Sequence, residues 1–217
     1  MTNPDYQTLT GLTATHVAAE IDGCPLHPQT VAAFTRMQQA AASAGHDLRV
    51  ASGFRSYQRQ LAIWQRKVDA LGTNPADEDL LSILHWSAMP GASRHHWGSD
   101  LDVFDKTALG EQRLQLEPWE YVAGGPCAPL YDWLQQHAHR FSFYWPYDAD
   151  RGGVAPEPWH LSYAPVSQPF QQAFTLEHLQ AAWLEQPPAA FDWLQQKAPQ
   201  LFARYVQRVA EAPRDSG

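Results

Sequence analysis

The chain has no long uninterrupted apolar run, and that absence excludes a membrane-spanning helix. It has no basic surplus either: 15 lysines and arginines stand against 23 aspartates and glutamates, a formal net charge of -8. A nucleic-acid backbone is thereby excluded as the main partner, because neutralising phosphates takes an excess of cations. Cysteine is scarce. Cys24 and Cys127 are too few for a disulfide framework and lack CxxC spacing, so two unpaired thiols are expected, with one disulfide after export as the alternative. Met1 to Glu20 has neither the basic nor the apolar stretch of a secretory signal. A cytoplasmic location is therefore expected, or a periplasmic one if a leader precedes this sequence.

What is present suits a folded protein. A hydrophobic share of 44% and a charged share of 18% over 217 residues are enough for a substantial core in one domain with elaborations. Residues 1–27 read as an irregular arm. From Pro28 to Ala44 apolar residues recur at helical spacing (Val31, Phe34, Met37, Ala41), and Gly45 stops them. Leu48 to Ala51 reads as a strand. Ser56 caps a helix running to about Leu71, and another lies around Leu80 to His85. Leu101, Val103 and Phe104 favour a strand in which Asp100 and Asp102 share a face by two-residue alternation. Lys106 to Pro129 is loop-rich. A helix from about Leu130 to His139, a strand through Phe141, Phe143 and Trp145, and a strand opening at His160 follow. From Phe174 onward the pattern is helical, broken at Pro187-Pro188. Alternating helices and short strands imply an α+β domain over residues 28–165, with a helical extension over 166–217 packed on it.

Two stretches carry chemistry. The first is Ser93-Arg-His95-His-Trp-Gly98-Ser-Asp100-Leu-Asp102, and the second is Glu157-Pro-Trp-His160. His95 and Asp102 flank Gly98, which lets the backbone turn so that both side chains face one ion. Zinc accepts imidazole nitrogen and carboxylate oxygen and needs a third ligand, for which His160 is the best candidate. Glu157, restrained by Pro158, lies beside it as the spare carboxylate that can take a proton from water and return it to a leaving amine. Three protein ligands, an open position and a base make a catalytic zinc site.

The chain has ten histidines, and a lone histidine is usually a surface or satisfied core residue; that reading holds for His85, His96, His137 and His139. For His95 and His160 it gives way, because four chemically matched residues must coincide. Asp100 reads equally as a partner orienting a histidine or as a solvated carboxylate. Arg55, in Ser52-Gly-Phe-Arg55-Ser, can aim its fork at a carboxylate or an oxyanion. Trp97, Trp145 and Trp159 flank the motifs as candidate cleft walls, with core packing the more ordinary role.

Together the motifs resemble those of the zinc D-alanyl-D-alanine metallopeptidases of the VanY type, whose pattern runs SG(Y/F)RS with a following Gln, then PGxSxHxxGxAxD, then ExWH. Here they stand as Ser52-Gly-Phe-Arg-Ser with Gln60, Pro90-Gly-Ala-Ser93 through Asp102, and Glu157-Pro-Trp-His160. The resemblance spans about Pro28 to Ala164. It implies zinc held by His95, Asp102 and His160, with Glu157 as general base and acid. Arg55 would stabilise the tetrahedral intermediate, and Ser93 and Gln60 would lie near the substrate. The implied fold is the small α+β domain shared with Hedgehog signalling domains, an antiparallel sheet with packed helices. Asp100 departs from the pattern, standing where the family has a small Ala. An extra negative charge there would raise the pKa of water at the metal, or pair with Arg94 or Arg55 and reshape the pocket.

The expected activity is removal of a terminal D-alanine from peptidoglycan stem peptides or muropeptides. Its alternatives are an endopeptidase, a D-Ala-D-Ala dipeptidase, and a non-catalytic zinc module that binds wall peptides. Glu157 argues against the last, since a structural site has no use for a base beside an open position.

Overall fold

The structure, a computed structural model, describes residues 4–212. The chain begins with the short helix α1 (Tyr6–Leu9) and a two-stranded hairpin, β1 (Ala19–Ile21) against β2 (Cys24–Leu26). Helix α2 (Pro28–Ser43) follows directly. Its start is set by Pro28 in the first turn and by His27, whose Nδ1 accepts from the Gln29 N–H. Gly45, at φ +92°, turns the chain out of it into β3 (Leu48–Ser52). Ser56 then caps α3 (Tyr57–Asp69), accepting from the Arg59 N–H at 3.2 Å. After α4 (Asp77–Trp86) and a 3-10 turn at Arg94–Trp97 come β4 (Asp100–Asp105), α5 (Lys106–Leu109) and α6 (Ala128–His137). The chain closes with β5 (Phe143–Tyr144), β6 (His160–Tyr163), α7 (Ala164–Ala173), α8 (Leu176–Glu185) and α9 (Phe191–Phe202).

Strands β3, β4, β6 and β5 form one antiparallel sheet in that order. The architecture is α+β, as expected. One sheet face is apolar: Leu48, Val50, Leu101, Val103, Phe143 and Leu161 bury themselves against Phe34, Met37 and Ala41 of α2 and Leu130 and Leu134 of α6. The opposite face carries Asp100, Asp102, His160 and Ser162, all buried. A second core gathers α1, α3, α4, α8 and α9 around Trp64, Trp97 and Trp183. Each of these indoles also donates to a distant carbonyl: Trp64 to Ala189, Trp97 to Leu9, and Trp183 to Pro90.

The structure corrects several expectations. Of the segment read as an irregular arm, residues 1–3 lie outside the described residues, and the remainder holds α1 and the hairpin. Leu9 and Leu26 from it are fully buried in the two cores. Its elements are three or four residues long, too short to leave a periodic trace. The strand expected through Phe141, Phe143 and Trp145 shrinks to Phe143–Tyr144, because a 3-10 turn at Ala138–Phe141 and Ser142 at φ +64° occupy its start. The C-terminal helices begin at Ala164 rather than Phe174. Cys24 and Cys127, by contrast, are both free thiols, as expected.

Candidate metal centre

Sheet pairing assembles the site. Asp102 on β4 lies directly opposite His160 on β6, and on its other side opposite Ser52 on β3. A bulge between Val50 and Ser52 makes this possible. Val50 pairs with Val103 on the apolar side, and the extra residue rotates Ser52 onto the Asp102 face. A row Ser52–Asp102–His160 therefore crosses three strands. His95 reaches the same point from the 3-10 turn, which Gly98 ends in a left-handed conformation at φ +65°. A side chain at Gly98 would meet Val17 and the His27 backbone, and the Gly98 carbonyl accepts from His27 N–H at 2.9 Å. Close packing against the hairpin thus requires glycine there as much as the turn does.

The outward hydrogen bonds of both imidazoles decide which nitrogen faces the centre. His95 donates its Nδ1–H to the Gly53 carbonyl at 2.9 Å, leaving Nε2 inward, 3.4 Å from Asp102 Oδ2. His160 gives its Nε2–H to Asp100 Oδ1 at 3.1 Å, leaving Nδ1 inward, 3.3 Å from Asp102 Oδ1. Asp102 Oδ1 is buried without a hydrogen-bond partner. Lone pairs of two nitrogens and a carboxylate thus converge on one point, an arrangement that needs a cation. One ligand atom from each of His95, Asp102 and His160 lies within 4.8 Å of the others. The spacings of 3.3 and 3.4 Å match the edge of a tetrahedron with metal–ligand bonds of about 2.0–2.1 Å. The donor set fits zinc.

Glu157 Oε2 lies 3.3 Å from His160 Nδ1. The Glu157 segment is held by its own N–H on the Tyr147 carbonyl and by the Trp145 indole, which donates to the Pro158 carbonyl. Arg55 donates to Gln60 Oε1 at 3.0 Å and Ser52 Oγ at 3.3 Å, and burial lowers its pKa. Its backbone carbonyl accepts from Nδ1 of His96, which is buried and whose pKa burial pushes down to about 3. Desolvation outweighs that hydrogen bond and leaves His96 a neutral core residue.

Asp100 is not a solvated carboxylate. It is fully buried, donating nothing and accepting from Arg94 Nε at 2.7 Å, Ser99 Oγ at 2.6 Å and His160. Burial alone would raise its pKa; the Arg94 charge and these hydrogen bonds win and hold it at about 2. Asp100, Ser162 and Tyr144 form a second cross-strand row, and Arg94 donates to all three. The extra charge expected to act on water at the metal is therefore neutralised by Arg94, not by Arg55. Arg94 also donates to Gln171 of α7 at 2.7 Å, which links that helix to the sheet.

The site opens on a cleft of about 330 Å³, a size suited to part of a peptide. Arg55, Ser93, His95, Asp102, Glu157 and His160 all line it. Gln60 does not: it is buried behind Arg55, donating to the Ala88 carbonyl at 2.6 Å, so it holds the arginine rather than the cleft. Of the three tryptophans, Trp159 lines the cleft, Trp145 supports the Glu157 segment, and Trp97 packs in the second core. The motif reading missed Lys67, Trp86, Tyr147 and the tip Gln115-Leu116-Glu117, which complete the walls. None lies in a motif. The Tyr147 ring packs edge-on to His160 at 5.0 Å between centroids.

A family model described as VanY, D-alanyl-D-alanine carboxypeptidase, matches residues 24–166. An uncharacterised protein of Haemophilus influenzae is 39% identical over 118 residues, covering 53% of this chain and 90% of that protein. "Putative carboxypeptidase YodJ" of Bacillus subtilis is 30% identical over 134 residues; the match covers 60% of this chain and 43% of YodJ, less than half of its length. Among solved structures, VanYB in complex with D-alanine-D-alanine superposes with a TM-score of 0.55 at 22% identity, covering 78% of this chain and 90% of that one. A mutant of the vancomycin-resistance D,D-pentapeptidase VanY in complex with Zn(II) gives 0.52 at 24% identity, covering 74% and 86%. These structures share the fold, and the family match covers all three motifs. The chain belongs to the VanY D-alanyl-D-alanine carboxypeptidase family.

Proposed function

We propose that the protein is a zinc-dependent carboxypeptidase that removes a terminal D-alanine from peptidoglycan stem peptides. The observation that carries this reading is the convergence of His95 Nε2, Asp102 and His160 Nδ1, with Glu157 Oε2 3.3 Å from that Nδ1, at the base of an open cleft. When bound there, zinc supplies Lewis acidity toward the scissile carbonyl and acidifies water. The zinc-containing relative and the D-alanine-D-alanine complex of VanYB support the choice of metal and substrate class.

The remaining chemistry falls to side chains. Glu157 takes a proton from the attacking water and passes it to the amine as the C–N bond breaks, so one carboxylate serves both half-reactions. Arg55, held in its fork by Ser52 and Gln60, donates to the oxygen on which negative charge develops. Ser93 on the cleft wall contacts the peptide.

The test is mass spectrometry of pentapeptide and tetrapeptide muropeptides incubated with zinc-loaded protein. Loss of one terminal alanine supports the proposal, and untouched peptides would overturn it. Glu157→Ala is expected to retain zinc and lose about 10²–10⁴-fold in turnover. Hydrolysis by that variant at the wild-type rate would sink the assignment of Glu157.

A further inference from the structure

We infer that Lys67 is the anchor for a free carboxylate of the peptide substrate, leaving Arg55 to serve the reacting carbonyl. This deepens the peptidase reading above and rests on it. Helix α3 buries Tyr57, Gln60, Trp64 and Val68 along one side, and Lys67 lies seven residues beyond Gln60, where that stripe meets the cleft. Lys67 is half-buried and lines the cleft, yet among the described residues it has neither an ion pair nor a side-chain hydrogen bond. Burial lowers its pKa, and the neighbouring Arg66 and Arg55 charges push the same way.

The charged groups of the cleft are not all paired with one another. Arg94 is neutralised by Asp100. Asp102 faces two histidines, and Glu157 faces His160. Arg55 is bonded only to the neutral acceptors Gln60 and Ser52, so it and Lys67 are two cations without a carboxylate partner. Glu117 is a further carboxylate on the cleft wall, and among the described residues it forms no ion pair with Lys67; an unpaired, half-buried ammonium in a cleft is a place for an anionic ligand group. One cation meets the transient charge on the reacting oxygen. The other needs an anion that is present before reaction begins. A carboxypeptidase substrate carries one, the terminal carboxylate beside the scissile bond; the internal carboxylates of a stem peptide are the other source of the same chemistry. Leu116 also lines the cleft, at φ +57°, an unfavourable conformation for leucine. The buried Glu120 carboxylate holds it there by accepting from the Gln115 and Glu117 N–H groups at 3.0 and 2.9 Å. This part of the cleft lining is thus held in place by the Glu120 hydrogen bonds.

The experiment compares zinc-loaded wild type, Lys67→Met and Lys67→Arg on three forms of a pentapeptide ending in D-Ala-D-Ala: free acid, C-terminal carboxamide, and internally amidated. Methionine keeps the packing of the lysine stem without its charge. Wild type is expected to lose about 10- to 100-fold in affinity when the anchored carboxylate is amidated, the worth of one charge-assisted hydrogen bond. Which amide shows the loss identifies the source. Lys67→Met should bind acid and amides alike, raising KM for the acid by that factor with a smaller change in kcat, and Lys67→Arg should restore the preference. A preference for the acid that persists undiminished in Lys67→Met overturns the proposal, as does a wild type indifferent to every amidation. Calorimetry on Glu157→Ala with and without Lys67→Met gives the same comparison without turnover. Release of no alanine by wild type would count against the peptidase reading alone, and acid-selective binding lost with Lys67 would still support the anchor.

Discussion

At the scale of single residues, the most informative is Asp100, because it departs from the family pattern and yet does work the site needs. By accepting the Nε2–H of His160 it fixes which nitrogen turns inward, and Arg94 makes its charge tolerable in the interior. Asp100→Asn is expected to weaken zinc binding about 10- to 100-fold, measured by competition with a chelating dye. It should also cost about 3 kcal/mol or more of stability by denaturant titration, since Arg94 loses its counter-charge. Unchanged zinc affinity would show that His160 needs no such partner. His96 makes a prediction about pH. Its pKa in the folded chain is about 3, below the unfolded value of 6.5, so the unfolded state binds the proton more readily. Stability contributed this way is intact above pH 6.5 and declines as pH falls toward 3, by about 1.4 kcal/mol per pH unit at most. Urea unfolding at pH 6.5 and 5.0 should therefore show a steeper loss for wild type than for His96→Gln; parallel losses would refute it.

At the scale of elements, the turn from Arg94 to Gly98 and strands β4 and β6 position the candidate metal ligands. Gly98→Ala places a methyl group against Val17 and the His27 backbone at a left-handed position. A loss of about 2 kcal/mol or more is expected by thermal or urea unfolding, together with reduced zinc content, because His95 sits on the same turn. Much of this was legible beforehand. The Ser56 cap, Gly45 as a stop, and Asp100 and Asp102 on one face of a strand all follow from local chemistry that the structure reproduces. Other features have no local signal. The bulge that turns Ser52 toward Asp102 is set by pairing across β3 and β4, and Leu116 takes a left-handed conformation without being glycine because Glu120 imposes it. Lys67 and Trp86 reach the cleft only through the packing of α3 and α4, which no motif records.

At the scale of the whole molecule, the C-terminal helices are part of the core that supports the site. Trp183 of α8 donates to Pro90 at 2.8 Å, next to the turn that delivers His95, and Gln171 of α7 is bonded to Arg94. Leu194, Ala198 and Leu201 of α9 pack in the same cluster as Trp64 and Trp97. Removal of residues 176–217 would strip several large side chains of their burial at about 2–5 kcal/mol each, as much as a typical domain's net stability. The truncated chain is expected to lose the near-ultraviolet circular dichroism of its packed tryptophans and to aggregate. A soluble, cooperatively unfolding product would place these helices outside the folding unit.

The direct opposition of Asp102 and His160 on neighbouring strands has one more consequence. A slip of β6 by a single position would set Leu161 opposite Asp102 and turn the imidazole toward the aliphatic layer. Only one alignment of the two strands brings Asp102 and His160 together, so an ion bound there would discriminate among alignments that hydrogen bonding between backbones scarcely distinguishes. Under the zinc reading proposed above, metal added during refolding would act as a proofreader of strand alignment, and a preparation with the sheet misaligned is expected to bind less than stoichiometric zinc by elemental analysis.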